Sequence, residues 1–172
     1  MDRANLPRLL ASVVAPEALA EHAPMLLALA RSLVRDDAEA QDVVQVTFEI
    51  ALRRLVTLRD AASLRPWLCA ILVREAYRAA RRLRRLVRLN GRATETWAGP
   101  TAAPGDPAGR TGPAIRAALL TLPPRIRAAV VLHHLVGLSV AETATVAGVS
   151  ENTVKTQLRI GLARLREELR DG

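Results

Sequence analysis

The sequence predicts an all-α protein made of two small helical domains joined by a flexible linker. Three observations carry that expectation. Apolar residues recur at helical spacing along almost all of the 172 residues, and no segment shows the alternation of a half-buried strand. Residues 90–112, rich in Gly, Pro, Thr and Ala, keep no apolar stripe, so they read as a linker between domains at 1–89 and 113–172. Residues 140–159 have the spacing of two helices crossing at a tight turn.

The N-terminus, MDRANLPRLLASVV, lacks the long apolar segment and small-residue cleavage site of a signal peptide, and a cytoplasmic protein is expected. Pro24 to Val34 is the first clear helix. Asp36 and Asp37 break it and cap the next, expected over about 38–57, with Val44, Phe48, Ala51 and Leu55 on its buried stripe. Asp42, Gln45, Glu49 and Arg53 line a separate polar face, with Val46 beside them. Such a face is ordinarily just solvated, and periodicity alone does not make it a binding surface.

A long helix follows from about Ser63 to Arg88. Arg74, Arg78, Arg81, Arg85 and Arg88 recur at steps of four and three, which confines them to a sector about 80° wide. Leu68, Leu72, Ala76, Ala79, Leu83 and Leu86 take the opposite side. Like charges at this spacing repel, and only Glu75 lies nearby to relieve them. An uncompensated row of this kind suits a phosphate backbone, where each neutralised phosphate releases a counterion. An acidic protein partner or a membrane surface are the alternatives, although a membrane helix calls for bulky aromatics where this one has Leu and Ala. Tyr77 flanks the row and could stack on a base, whereas Trp67 reads as a core residue. Cys69, the sole cysteine, sits in the apolar context LCAIL, so it reads as a buried thiol that forms no internal disulfide and no zinc site.

In the C-terminal half Ala144 lies where two crossing helices come closest. Gly148 supplies the positive φ of the turn, Ser150 can cap the next helix by accepting from the backbone of Asn152 or Thr153, and Val154 plugs that helix into the first. The second helix starts at Glu151. Val154, Leu158, Gly161, Leu162, Leu165 and Leu169 fall on its buried face. Asn152, Lys155, Thr156 and Arg159 fall on the other, offering an amide and a hydroxyl for base edges and two cations for phosphates or guanine. Each of these residues alone also fits an ordinary solvated face; the joint spacing of Ala144, Gly148, Ser150 and Val154 is the stronger signal.

Bulk composition agrees. Half the residues are apolar, which excludes a disordered chain, and the net charge of +8 favours a polyanionic partner. No uninterrupted apolar run is long enough to span a membrane, so no membrane insertion is expected. A catalytic role finds no support: the sequence has no Gly-rich phosphate loop, no nucleophile with a base and no evident paired carboxylates, and no cofactor is implied. His133 and His134 diverge by about 100° as neighbours on a helix and imply no metal.

Three segments, in this order, resemble the extracytoplasmic-function sigma factors of bacterial RNA polymerase. DDAEAQDVVQVTFEIALRRL resembles their polymerase-binding helix, and SLRPWLCAILVREAYRAARRLRR their segment for the promoter's minus-ten element. LLTLPPRIRAAVVLHHLVGLSVAETATVAGVSENTVKTQLRIGLARLREEL is similar to their domain for the minus-thirty-five element, with the LPPR turn and the TVK-to-RLR stretch in place. The resemblance implies a sigma region 2-like bundle and a sigma region 4-like helix-turn-helix domain. It further implies that Asp42, Gln45, Glu49 and Arg53 dock on core RNA polymerase. By the same resemblance Arg74, Tyr77, Arg78, Arg81 and Arg85 hold the minus-ten element, and Asn152, Lys155, Thr156 and Arg159 enter the major groove upstream. The implied partners are core polymerase, promoter DNA and an anti-sigma factor. The alternative is a stand-alone helix-turn-helix regulator, which would shift duplex DNA without polymerase.

Overall fold

The computed structural model describes residues 16–55, 58, 60–89 and 112–170, and every regular element among them is helical. A short helix α1 (Pro16–Ala20) leads into α2 (Ala23–Leu33), then α3 (Asp37–Arg54), a 3-10 turn at Ala61–Ser63 and the long α4 (Leu64–Leu89). The second half holds α5 (Pro113–Thr121), α6 (Pro124–Val130), a π-helical turn at Val131–Leu135, α7 (Val140–Ala147) and α8 (Glu151–Glu168). The expected linker, including Trp97, lies outside the described residues apart from Gly112, and so do the N-terminal 15 residues.

Local chemistry sets the boundaries. Asp36 caps α3 as expected, its carboxylate accepting from the Glu39 backbone N–H at 2.6 Å. Proline stands in the first turn of α2, α5 and α6, where its missing N–H costs nothing. The long helix begins at Leu64 rather than Ser63, because Ser63 closes the preceding 3-10 turn onto Asp60. Two buried hydroxyls are satisfied within their own helices, Thr47 donating to the Val43 carbonyl at 2.7 Å and Ser32 to that of Ala28 at 2.9 Å, whereas that of Thr143 has no partner.

Two parts of the sequence expectation need correction. The buried stripe of α3 is Ala40, Val43, Thr47, Ala51 and then Leu55, whereas Val44 and Phe48 are only half-buried. The helix is rolled so that the 40–43–47–51 row meets α2 and α4, and the Val44–Phe48–Leu52 row lines an open groove instead. On α8, Val154, Leu158 and Gly161 are buried as expected, but Leu169 is 47% exposed because it stands past the end of the helix as its C-cap.

Both expected helical groups are present. In the first, α2, α3 and α4 pack on one another around Leu26, Leu29, Leu68 and Leu72; in the second, α6 and α7 pack on α8 around Leu122, Leu132, Val136 and Val154. The groups also meet, α7 lying on α4, and α5 and α6 on α2, so that one apolar cluster runs through both.

Candidate nucleic-acid interface

The turn between α7 and α8 is built as its residues dictate. Ser139 opens α7 with a reciprocal capping box, its hydroxyl accepting from the Glu142 N–H at 3.1 Å while its own N–H donates to the Glu142 carboxylate at 2.8 Å. Those bonds from Ser139 hold the Glu142 carboxyl below its ordinary range. Gly148 ends the helix at φ 66°, a left-handed conformation natural to glycine, and Val149 donates back to Ala144 at 3.1 Å. Ser150 then caps α8 by accepting from Thr153 at 3.2 Å, and Val154 is fully buried against α7.

This construction turns one face of α8 outward. Asn152, Lys155, Thr156 and Arg159 are all exposed, spaced along two turns at the N-terminal end where a recognition helix meets bases. The Thr156 hydroxyl donates to the Asn152 carbonyl at 3.0 Å, which leaves its lone pairs for an incoming donor. Gly161 sits where α8 crosses α6; a Cβ there would lie 2.5 Å from Val130 Cγ2.

On α4 the cationic row is present: Arg74, Arg78, Arg81 and Arg85 are exposed, joined by Arg82. The Arg88 side chain lies outside the described ones. Glu75 pairs with Arg78 at 2.6 Å, the relief that the spacing predicts. Tyr77 is placed differently from a free platform. Its ring packs on the core cluster and its hydroxyl donates to the Pro124 carbonyl at 3.1 Å, and burial pushes the phenol up from its ordinary value. Cys69 is buried, and desolvation pushes its thiol up to about 12.

On α3, Asp42, Gln45, Glu49 and Arg53 are exposed together, Glu49 bonding Gln45 at 3.4 Å and Arg53 at 3.1 Å. Beside this polar strip runs a groove of about 750 Å³ with an apolar floor of Pro24, Leu27, Val44, Phe48 and Leu52. Val46 and Leu52 are 38% and 55% exposed, so the strip is polar at its centre and apolar at both flanks. Sequence reasoning missed the groove, although Val44, Phe48 and Leu52 at steps of four were its signal.

Among the described residues no group of three or more His, Cys, Asp or Glu is placed to hold a metal, and no helix is long and apolar enough to cross a membrane. His133 is tied by Nδ1 to the Leu138 carbonyl at 2.7 Å and stacks edge-on with His134.

These features define a class: a helical DNA-binding protein with a helix-turn-helix in one half, a cationic helix in the other, and a separate strip suited to a protein partner. Comparison with known proteins narrows it. The Sigma-70 region 2 family matches residues 19–86, and Sigma-70 region 4 matches residues 113–165. The sigma factor CarQ of Myxococcus xanthus is 31% identical over 87% of this chain and 86% of its own. The sigma-E factor of Streptomyces coelicolor is 35% identical over 84% and 79%, and the ECF sigma factor SigM of Mycobacterium tuberculosis 34% identical over 84% and 71%. Among solved structures, the sigma factor RpoE of Bartonella quintana, in complex with the anti-sigma factor NepR, superposes with a TM-score of 0.79 at 28% identity, covering 90% of this chain and 95% of that one. CnrH, in complex with the cytosolic domain of CnrY, gives 0.68 at 26% identity, covering 96% of each chain.

The chain belongs to the extracytoplasmic-function RNA polymerase sigma factors. It is an alternative sigma factor, which binds bacterial core RNA polymerase and directs promoter recognition and transcription initiation.

Proposed function

We propose a division of labour among the three exposed surfaces. Asp42, Gln45, Glu49 and Arg53 dock on core polymerase, the groove beside them accepting an apolar side chain of that partner. Arg74, Arg78, Arg81 and Arg85 hold phosphates around the minus-ten element; Tyr77, packed on the core and bonded to Pro124, reaches an unpaired base only once that bond is broken. Asn152, Lys155, Thr156 and Arg159 enter the major groove of the upstream element. The domains run over 1–89 and 113–172, with 90–112 as the tether. The protein acts in the cytoplasm as a specificity subunit and carries out no chemistry itself. An anti-sigma factor holds it inactive, by analogy with the Bartonella quintana relative and its partner NepR.

The observation that carries this reading is the separation of two cation-bearing faces onto two helical groups, with a groove of apolar floor and a mixed polar strip on a third surface. A stand-alone regulator has no use for that third surface. Runoff transcription with core polymerase, this protein and genomic fragments tests it: specific start sites are expected only when both proteins are present. Stable sequence-specific binding of duplex DNA by the protein alone, with no directed start, would overturn it in favour of the regulator.

A further inference from the structure

The groove between α2 and α3 is long, apolar and open, and contiguous apolar surface of that kind marks a place where something binds. Its α3 wall runs from Gln41 to Leu52, eleven positions, which at about 1.5 Å per residue is about 16 Å. Its volume of about 750 Å³ takes several side chains together rather than one. Leu52 is 55% exposed, and Ala23 and Pro24, the first residues of α2, belong to the opposite wall.

The chain itself supplies an occupant of that shape. Residues 1–15 stand ahead of α1, which opens at Pro16 and is anchored by buried Leu19; Ala23 on the groove wall follows Pro16 by only seven positions. In that segment Leu6, Leu9, Leu10, Val13 and Val14 recur at i, i+3, i+4, i+7 and i+8. At 100° per residue they share a sector about 140° wide, with Arg8 and Ser12 on the opposite side. Asn5 can cap a helix there, and Pro7 suits its first turn. Pro16 disfavours a helical Ala15, so the pattern stops where the chain has to turn back towards α2. Leu6 to Val14 coiled at about 1.5 Å per residue measures about 14 Å, close to the length of the groove wall. An amphipathic helix laid in an apolar groove binds by anchors at this spacing.

We propose that the N-terminal segment of this chain seats its Leu6–Val14 stripe in the α2–α3 groove, where it covers Gln45 and Glu49 and has to leave before a protein partner takes that surface. Gln45 and Glu49 belong both to the groove and to the polar strip. The competition rests on the assignment of that strip to core polymerase proposed above; the seating does not.

Thiol labelling of the full chain tests the seating. L52C puts a probe in the groove, E167C on α8 gives an exposed reference, and buried Cys69 stays unlabelled. Maleimide should label L52C roughly tenfold more slowly than E167C, and L9D/L10D should remove that protection, because two leucines then leave the apolar stripe. Arg8→Glu, on the far side of the stripe, should leave it intact. If L9D/L10D loses helical circular dichroism, Val13→Asp takes its place. Equal labelling of L52C and E167C overturns the seating. So does protection that survives L9D/L10D, or that falls on dilution, the mark of a second copy in the groove. Release by Arg8→Glu as complete as by L9D/L10D overturns it too, because charge rather than the stripe would then hold the segment. The affinity of the L9D/L10D chain for core polymerase, with Leu52 intact, separates the two readings, and a several-fold gain over the parent is expected. Lost protection with unchanged affinity overturns the assignment of the strip to polymerase and leaves the seated segment; a gain in affinity with no protection of L52C overturns the seating alone.

Discussion

Gly161 illustrates how one atom decides a helix crossing. An added Cβ would lie 2.5 Å from Val130 Cγ2 and 3.0 Å from Ile126 Cγ2, and Val130 is itself buried. Gly161→Ala gains about 1 kcal/mol of helix propensity but meets overpacking of about 1–3 kcal/mol against a side chain with no room to retreat. A net loss of about 1 kcal/mol, seen as a melting point lowered by a few degrees, is expected; a rise would mean that α6 and α8 part easily. Cys69 predicts a pH effect. Its thiol is pushed from an ordinary 9.0 up to about 12, so in that window the unfolded chain ionises while the folded one does not. Stability should therefore fall as pH rises from about 9 towards 12, with Tyr77, also raised by burial, contributing in the same direction. Denaturation at pH 7, 9 and 10.5 measures it, and Cys69→Ala should flatten the slope. Ala144, Gly148, Ser150 and Val154 were legible in sequence because their roles are local. Gly161 was legible only as a buried position, since its reason is a helix thirty residues upstream.

At the scale of elements the two cationic helices are expected to fail in different ways. Arg159→Ala should cost about tenfold in use of promoters with a good upstream element, the size of one base or phosphate contact, and little where that element is already poor. Arg78→Ala should instead reduce open-complex formation at all promoters and lower the slope of log affinity against log salt by about one unit. In its ion pair to Glu75 the guanidinium is 72% exposed and the carboxylate only 14%. Transcription across a panel of upstream sequences at two salt concentrations distinguishes these; identical losses everywhere would refute the split. Helix order, the Asp36 cap and the polar strip of α3 were all legible, because caps and periodicity are written within a few residues. The roll of α3 was not: two apolar rows, 40–43–47–51 and 44–48–52, lie side by side, and only α2 and α4 decide which is buried. The π-helical turn, where Val136 donates to the Val131 carbonyl at 3.0 Å, has no periodic signature of its own.

The molecule as a whole carries the feature least visible in its sequence. Arg116 and Arg31 are 85 positions apart, and Arg127 and Leu33 are 94 apart, so no pattern within either half announces that they meet. Leu122, Leu132 and Val136 pack in the second half, yet they belong to the same cluster as Leu26 and Leu29. A shared core has a thermodynamic consequence. Two independent domains unfold in separate transitions, whereas groups that bury apolar surface and charged bonds against each other lose those contacts when either one melts. Calorimetry of the full chain should therefore give one cooperative transition, with calorimetric and van't Hoff enthalpies in agreement. Weakening the contact between the halves by Asp37→Asn should broaden or divide it, because Asp37 pairs with Arg116 of the other half at 3.2 Å. Raising the salt should act in the same direction and to a smaller extent, since those side chains are largely shielded. Two resolved transitions in the unaltered protein would mean that the interface is too weak to couple the halves.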